Sequence, residues 1–120
     1  MKLTSTLIIP ILNVESTILA LLKALLNQIT LPDEIIFVDN MSTDRSVEII
    51  EEFNKKNIKI NITILKEEKR GPSACRNKGM LHSNSDIIVF TDGDCIPEKH
   101  WIHNLLTQYN DTKKIGGCCW

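Results

Sequence analysis

The chain of 120 residues is long enough for one domain with a hydrophobic core and too short for two. Its 14 basic and 15 acidic residues give a formal net charge of −1, so neither nucleic acid nor an anionic membrane surface is expected as the main partner. Apolar stretches are too short or too interrupted for a bilayer span or a signal peptide, and the sequence predicts a cytoplasmic protein, at most peripheral at the membrane face.

Strands and helices alternate along the chain. Apolar runs and β-type alternation predict strands at residues 6–9, 35–38, 60–65 and 87–91. Helical spacing, N-cap residues and prolines predict four helices. They cover residues 15–28, the stretch from the N-cap candidates 42–44 through residue 53, residues 71 to about 82, and a stretch from residue 97 onward. This order predicts an α/β fold with three layers, α/β/α, a mainly parallel sheet and right-handed crossovers. We expect one domain over residues 1–120 that is incomplete at its C-terminus, because the pattern predicts a fifth strand that begins at Ile115.

The cysteines provide no recognisable metal or disulfide pattern. Cys75 and Cys95 stand alone, and the adjacent Cys118 and Cys119 would point to opposite faces of a strand. No paired Cys-x-x-Cys units occur, so a zinc site is not expected. Reduced thiols in a cytosolic protein are the simplest interpretation.

Two carboxylates, Asp92 and Asp94, come directly after the predicted strand 87–91. Gly93 between them has no side chain to block a ligand. Ligands of open α/β sheets bind at the carboxyl ends of the strands, and a carboxylate pair there suits Mg²⁺ or Mn²⁺ shared with a diphosphate. The alternative is an acidic turn, since Asp and Gly are common turn residues.

Polar residues also follow two other predicted strands, at 10–13 and 39–44. Because the carboxyl ends of parallel strands meet at one edge, the three loops can converge on a single ligand. Ser42 and Asp44 are interpreted as helix caps, and the mixed charges of residues 67–70 as a solvated connection. The convergence favours a ligand site over an isolated turn.

Four segments resemble family 2 glycosyltransferases, inverting enzymes of the GT-A fold, in their N-terminal nucleotide-sugar-binding part. The segments stand in the family's order and spacing, and the resemblance covers nearly the whole chain. They are residues 8–13 (IIPILN), 34–44 (EIIFVDNMSTD), 71–79 (GPSACRNKG) and 87–94 (IIVFTDGD).

The resemblance implies a role for each matching residue. Asp39 would accept a hydrogen bond from the uracil ring nitrogen, and Arg76 would lie against the same base or bond to it. Asp92 would bind the ribose hydroxyls, and Asp94 would coordinate a divalent metal, Mn²⁺ or Mg²⁺, together with the diphosphate. The residues that would shape the pocket around the base are Pro10 and Asn13.

Three positions depart from the family pattern. Leu12 stands where an aromatic residue is usual, and Asn40 where a second carboxylate is usual. Met41 replaces a smaller residue. Asn40 keeps the capacity for hydrogen bonding but not the charge.

The resemblance implies transfer of a sugar, with inversion, from a nucleotide-diphospho-sugar to an acceptor hydroxyl. A UDP-sugar is favoured as donor, and the acceptor, such as a glycan or a lipid, is not identified. The family's general base lies downstream of the Asp92 segment, so we expect it beyond residue 120 and assign no catalytic residue. The chain alone is then expected to bind a donor without efficient transfer, and its incomplete sheet would favour self-association.

Two other functions are compatible with the sequence. A catalytically inactive nucleotide-binding remnant would keep the donor site and lack the rest of the enzyme. A phosphatase of the haloacid dehalogenase kind would use Asp92 as nucleophile and Asp94 as acid. That family normally carries its Asp-x-Asp after the first strand, and it has Thr or Val where Ile96 stands, which makes it the weaker alternative.

Overall fold

The computed structural model describes residues 3–57 and 59–107. Within these residues, four parallel strands form one sheet in the order β3-β2-β1-β4. The strands are β1 (Ser5–Ile11), β2 (Glu34–Asp39), β3 (Asn61–Lys66) and β4 (Ile87–Phe90). The helices are α1 (Ile18–Leu26), α2 (Ser46–Lys56), α3 (Pro72–His82) and α4 (Trp101–Thr107). The predicted α/β class with a parallel sheet is confirmed.

Helices cover both faces of the sheet, so side chains that alternate along each strand enter two cores. On β1, Leu7 and Ile9 pack with α1, α2 and α4 in the larger core. Ile8 points to the other face and packs with Cys75 of α3 in the smaller one. The molecule therefore has the predicted three layers.

The order of the strands reverses direction beside β1. The chain moves outward through β2 to β3 and then returns to place β4 on the opposite side of β1. Right-handed crossovers explain why α1 and α2 share one face while α3, which connects β3 to β4, lies on the other. The gap between the carboxyl ends of β1 and β4 is the topological switch point at which such sheets bind ligands.

Pro10 lies inside β1, which ends at Ile11, two residues beyond the predicted end of the first strand. The carbonyl of Ile8 accepts a hydrogen bond from the Thr91 N–H. The backbone nitrogen of Pro10, two residues later, therefore also faces the β4 side of the strand. The β1–β4 ladder stops at the pair Ile8 and Phe90. Since no β4 acceptor lies opposite Pro10, its missing N–H leaves no ladder bond unmade.

Helix starts differ most from the sequence prediction. Helix α1 begins at Ile18 because residues 14–17 form a turn, in which the Val14 carbonyl accepts from the Thr17 and Ile18 N–H groups. Helix α4 begins at Trp101, whose N–H bonds to the Glu98 carbonyl, rather than at Pro97. The predicted fifth strand from Ile115 lies outside the described residues. No described helix has the length and apolar character needed to cross a membrane.

Candidate functional site

A cavity of about 320 Å³ opens at the carboxyl ends of β1, β2 and β4. This volume is at the lower end of the range for small-molecule sites. Its lining combines apolar surface with one carboxylate, one carboxamide and one guanidinium. The lining residues are Pro10, Ile11, Leu12, Asn40, Arg70, Gly71, Pro72, Cys75 and Asp92.

Asp92 and Asp94 lie on the loop after β4, and both are exposed. Gly93 between them is buried, and a Cβ atom there would lie 3.1 Å from Ile11 Cγ2 and 3.2 Å from Val14 Cγ1. The absence of a side chain thus lets the loop pack closely on the end of β1. The outcome is that both carboxylates point outward beside the cavity.

The loop also brings ligand atoms together. One carboxylate oxygen each from Asp92 and Asp94 and the sulfur of Cys95 lie within 4.8 Å of one another. Cys95 is disulfide-bonded in the structure, which contradicts the expectation of reduced thiols, because spacing along a chain does not reveal which cysteines meet. A disulfide sulfur offers no thiolate to a cation, so the two carboxylates are the candidate ligands.

Arg76 projects from α3 toward the same loop. Its Nη2 lies 3.9 Å from Asp92 Oδ1, and its guanidinium carbon lies 5.8 Å from the centroid of the Phe90 ring. Its Nε is buried without a hydrogen-bond partner. The partly exposed ion pair is weak, and the ring beneath the guanidinium adds a cation–π contact.

Asp39 and Asn13 lie at the rim of the site and outside the lining of the cavity. Asp39 is buried, and its Oδ1 accepts a hydrogen bond from the Ser42 N–H at 3.1 Å. Asn13 has a φ of 53°, a left-handed conformation that Asn tolerates better than most residues. Its Oδ1 accepts from the Thr43 N–H at 2.8 Å and also from the Asp44 N–H. Both side chains hold the turn before α2.

Asp44 shares in fixing that turn. Partial desolvation acts to raise the pKa of the Asp44 carboxyl, but hydrogen bonds from the side chain and N–H of Ser46 and from the Glu15 N–H outweigh it and lower the pKa. The carboxylate accepts bonds from the starts of both the α1 turn and α2. The predicted N-cap positions are wrong, because the N-cap of α2 is Arg45. Asp44 accepts from the Ser46 N–H one residue before that position, and the Ser42 hydroxyl accepts from the Asn13 N–H.

Sequence reasoning gave no site role to most of the cavity wall, including three residues with polar or ionisable side chains, Arg70, Asn40 and Cys75. Arg70 belongs to a segment whose mixed charges predict a solvated connection. Only its place before the Gly71-Pro72 helix start indicates a location at the carboxyl ends of the strands. The sequence shows Asn40 only as a departure from the family pattern, and it lines the cavity. The sequence gives Cys75 no role in the site, and in the structure it packs in the smaller core and lines the cavity. Burial raises the pKa of the Cys75 thiol, aided by the charges of Glu67 and Asp39, so it remains a neutral thiol at pH 7.

A larger cavity, of about 560 Å³, lies along the outer edge between β3 and α3. None of the predicted site residues lines it, and its walls include Leu65, Lys78 and Leu81. The smaller cavity is the better candidate because it alone of the two adjoins the carboxylates and the switch point.

Comparison with known proteins decides the family. The sequence model described as glycosyl transferase family 2 matches residues 6–120. The chain belongs to this family. The alternative of a haloacid dehalogenase-like phosphatase is thereby overturned, and the Asp-x-Asp segment indeed follows the fourth strand and not the first.

Individual relatives agree with the family assignment. Glycosyltransferase AglE of Haloferax volcanii is 34% identical over 118 residues, covering 92% of this chain and 38% of its own length. The probable glycosyltransferase YdaM of Bacillus subtilis is 36% identical, with 92% and 27% covered. The chain thus spans between about a quarter and two fifths of the length of these two relatives.

Solved glycosyltransferases share the fold. The S. aureus TarS fragment 1–349 in complex with UDP superposes with a TM-score of 0.75 at 27% identity, covering 87% of this chain and 31% of that one. The mannosyltransferase PcManGT from Pyrobaculum calidifontis gives a TM-score of 0.84 at 24% identity, covering 92% and 33%. The fold is therefore that of GT-A glycosyltransferases.

Proposed function

We propose that this chain binds a nucleotide-diphospho-sugar together with a divalent cation, as the donor-binding part of an inverting glycosyltransferase. The observation that carries the proposal is the exposed pair Asp92 and Asp94 beside a cavity at the switch point, with Arg76 next to Asp92. Uridine is favoured as the nucleoside. TarS, which is 27% identical, has been solved with UDP and with UDP-GlcNAc.

The residues fit the roles that the family resemblance implies. Asp39 is fixed by the Ser42 N–H at the end of β2, where a carboxylate can accept from a base. Pro10 contributes an apolar wall, and Asp92 stands at the cavity edge, where it can accept bonds from ribose hydroxyls. Asn13 takes part indirectly, since it holds the turn that follows Asp39.

The donor set also fits a hard divalent cation. Exposed carboxylate oxygens that can approach one another suit Mg²⁺ or Mn²⁺ with a diphosphate, and Asp94 would be the main protein ligand. When bound, the cation supplies neutralisation of negative charge on the leaving diphosphate.

The reaction follows from the donor's chemistry. The acceptor's hydroxyl oxygen would form a bond to the anomeric carbon from the face opposite the diphosphate. The bond between that carbon and the diphosphate oxygen would break, releasing the nucleoside diphosphate with inversion. The hydroxyl proton would pass to a general base, for which no residue in this chain is assigned.

Calorimetric titration of the chain with UDP, with Mn²⁺ and with EDTA, tests the proposal. We expect UDP binding that depends on the cation, and Asp94→Asn should weaken it by about 10–100-fold, as is common when a metal-site partner is lost. Glu51→Gln, an equal loss of charge on the exposed face of α2, is the control and should bind like the wild type.

Two results would count against this assignment. If EDTA leaves the wild-type affinity for UDP unchanged, the proposal that a divalent cation takes part in binding is wrong. Absence of UDP binding in any condition, with other nucleoside diphosphates also inactive, would remove donor binding itself.

A further inference from the structure

Asn40, the first residue after β2, is buried and connects two loops of the site. Its Nδ2 donates hydrogen bonds to the carbonyl oxygens of Glu67 at 2.8 Å and Lys69 at 2.9 Å. Its Oδ1 accepts one from the Gly71 N–H at 3.1 Å. Both amide hydrogens and the oxygen of Asn40 are thus hydrogen-bonded to backbone groups of the segment between β3 and α3.

That segment, residues 67–71, forms part of the cavity wall. Arg70 and Gly71 line the cavity, and Arg70 lies between the two backbone groups that Asn40 holds, the Lys69 carbonyl and the Gly71 N–H. The segment is otherwise polar and mostly exposed. Gly71 has a φ of 116° and leads directly into α3, which carries Arg76.

We infer that Asn40 is a positioning residue that fixes the 67–71 segment as the wall of the nucleotide cavity. The expected effect of Asn40 on nucleotide affinity rests on the proposed function. The contacts themselves belong to the free chain. A buried carboxamide that uses all these groups holds a unique local geometry, because losing one of the contacts leaves a polar group of the buried side chain unsatisfied.

The chemistry of the side chain explains why Asn, rather than the carboxylate usual in the family, suits this chain. A carboxylate can accept from the Gly71 N–H but has no hydrogen to give to Glu67 O or Lys69 O. It would also place a negative charge beside two carbonyl oxygens. Asn40→Asp should therefore release the segment, although its shape is nearly unchanged.

The test compares Asn40→Asp and Asn40→Ala with the wild type, in the full chain. We expect both variants to lose UDP affinity, in the presence of Mn²⁺, by about 10-fold, the size typical of losing an outer-shell partner. In nucleotide-free protein, the Gly71 amide signal should shift and exchange with solvent faster, while signals of β1 and β2 stay in place. Asn84→Asp, an exposed site at the opposite edge of the sheet, adds the same charge as a control.

The outcomes separate the inference from the proposed function. If the wild type does not bind UDP, the proposed function fails, and the Gly71 signals still decide whether Asn40 fixes the segment. If Asn40→Asp alone loses affinity and Asn40→Ala binds normally, charge is responsible and the inference is wrong. Unchanged Gly71 exchange in both variants, with urea unfolding as the check on folding, would likewise overturn it.

Discussion

Arg76 shows how single residues share the work at this site. Its guanidinium lies over the Phe90 ring and near Asp92, so one side chain connects α3 to the end of β4. A partly exposed ion pair at 3.9 Å contributes little by itself, whereas the ring face restricts where the guanidinium can lie. Phe90 is therefore part of the site's support although it carries no polar group.

Replacing Phe90 by Leu should weaken UDP binding by about 2–5-fold, the equivalent of an exposed cation–π contact. The physical reason is that Arg76 would lose the surface that orients it. Phe90→Tyr keeps a ring and should bind like the wild type. Ile88→Leu, two residues earlier on the same face, controls for changes in packing. Equal UDP affinity in Phe90→Leu and wild type, measured by calorimetry, would show that Arg76 does not depend on the ring.

Sequence reasoning identified the residues of the motif better than those that support them. Asp92, Asp94 and Arg76 were predicted because the motif places them, and the structure sets them at one edge; their binding roles remain predictions. The contacts of Asn40 with residues 67–71 and of Asn13 with residues 43–44 were not predictable. They join side chains and backbone groups that are about 30 positions apart, and no local pattern encodes such pairs.

At the scale of elements, the close approach of α3 to β1 determines where the cavity wall lies. A Cβ atom on Gly79 would come within 2.6 Å of Ile8 Cγ2, and Ile8 is fully buried. The helix can approach this closely only because residue 79 has no side chain. Since α3 begins at the cavity wall and carries Arg76, this contact also sets the position of the site.

Gly79→Ala should lower the free energy of unfolding by about 1–2 kcal/mol. Overpacking a core costs about 1–3 kcal/mol, and the better helix propensity of Ala returns up to about 1 kcal/mol. Urea unfolding followed by circular dichroism measures the change. Asn77→Ala, on the exposed face of α3, changes only the helix propensity and should not lower the free energy of unfolding. A Gly79→Ala protein as stable as the wild type would contradict the packing argument.

The order and type of the elements were predictable, whereas their starting residues were less so. Apolar runs identified β1, β2 and β4, because a strand buried on both faces is apolar throughout, and alternation identified the edge strand β3. Helices α1 and α4 begin three or more residues later than predicted. A hydrogen-bonded turn precedes each of these helices. Hydrophobic spacing alone does not distinguish such a turn from the first turn of a helix.

At the scale of the whole molecule, the strand order creates the site. The reversal between β1 and β4 leaves a crevice, and the loops after β1, β2 and β4 supply its walls. Helix α3 alone covers one face among the described elements, and Ile88 and Phe90 of β4 remain half-buried there. Self-association through this part of the sheet stays a prediction, as does the absence of sugar transfer by the chain alone.

Paramagnetic NMR tests most directly whether this crevice is the donor site. With UDP in excess and a small amount of Mn²⁺ added, we predict broadening of the amide signals of residues 92–95 and then of residues 39–41 and 70–71. Signals at the opposite edge of the sheet, such as residues 30–33 and 84–86, should stay sharp, and Mg²⁺ in place of Mn²⁺ should broaden none. Broadening centred anywhere other than the loop after β4, or Mn²⁺ effects that are identical without UDP, would contradict the proposed site.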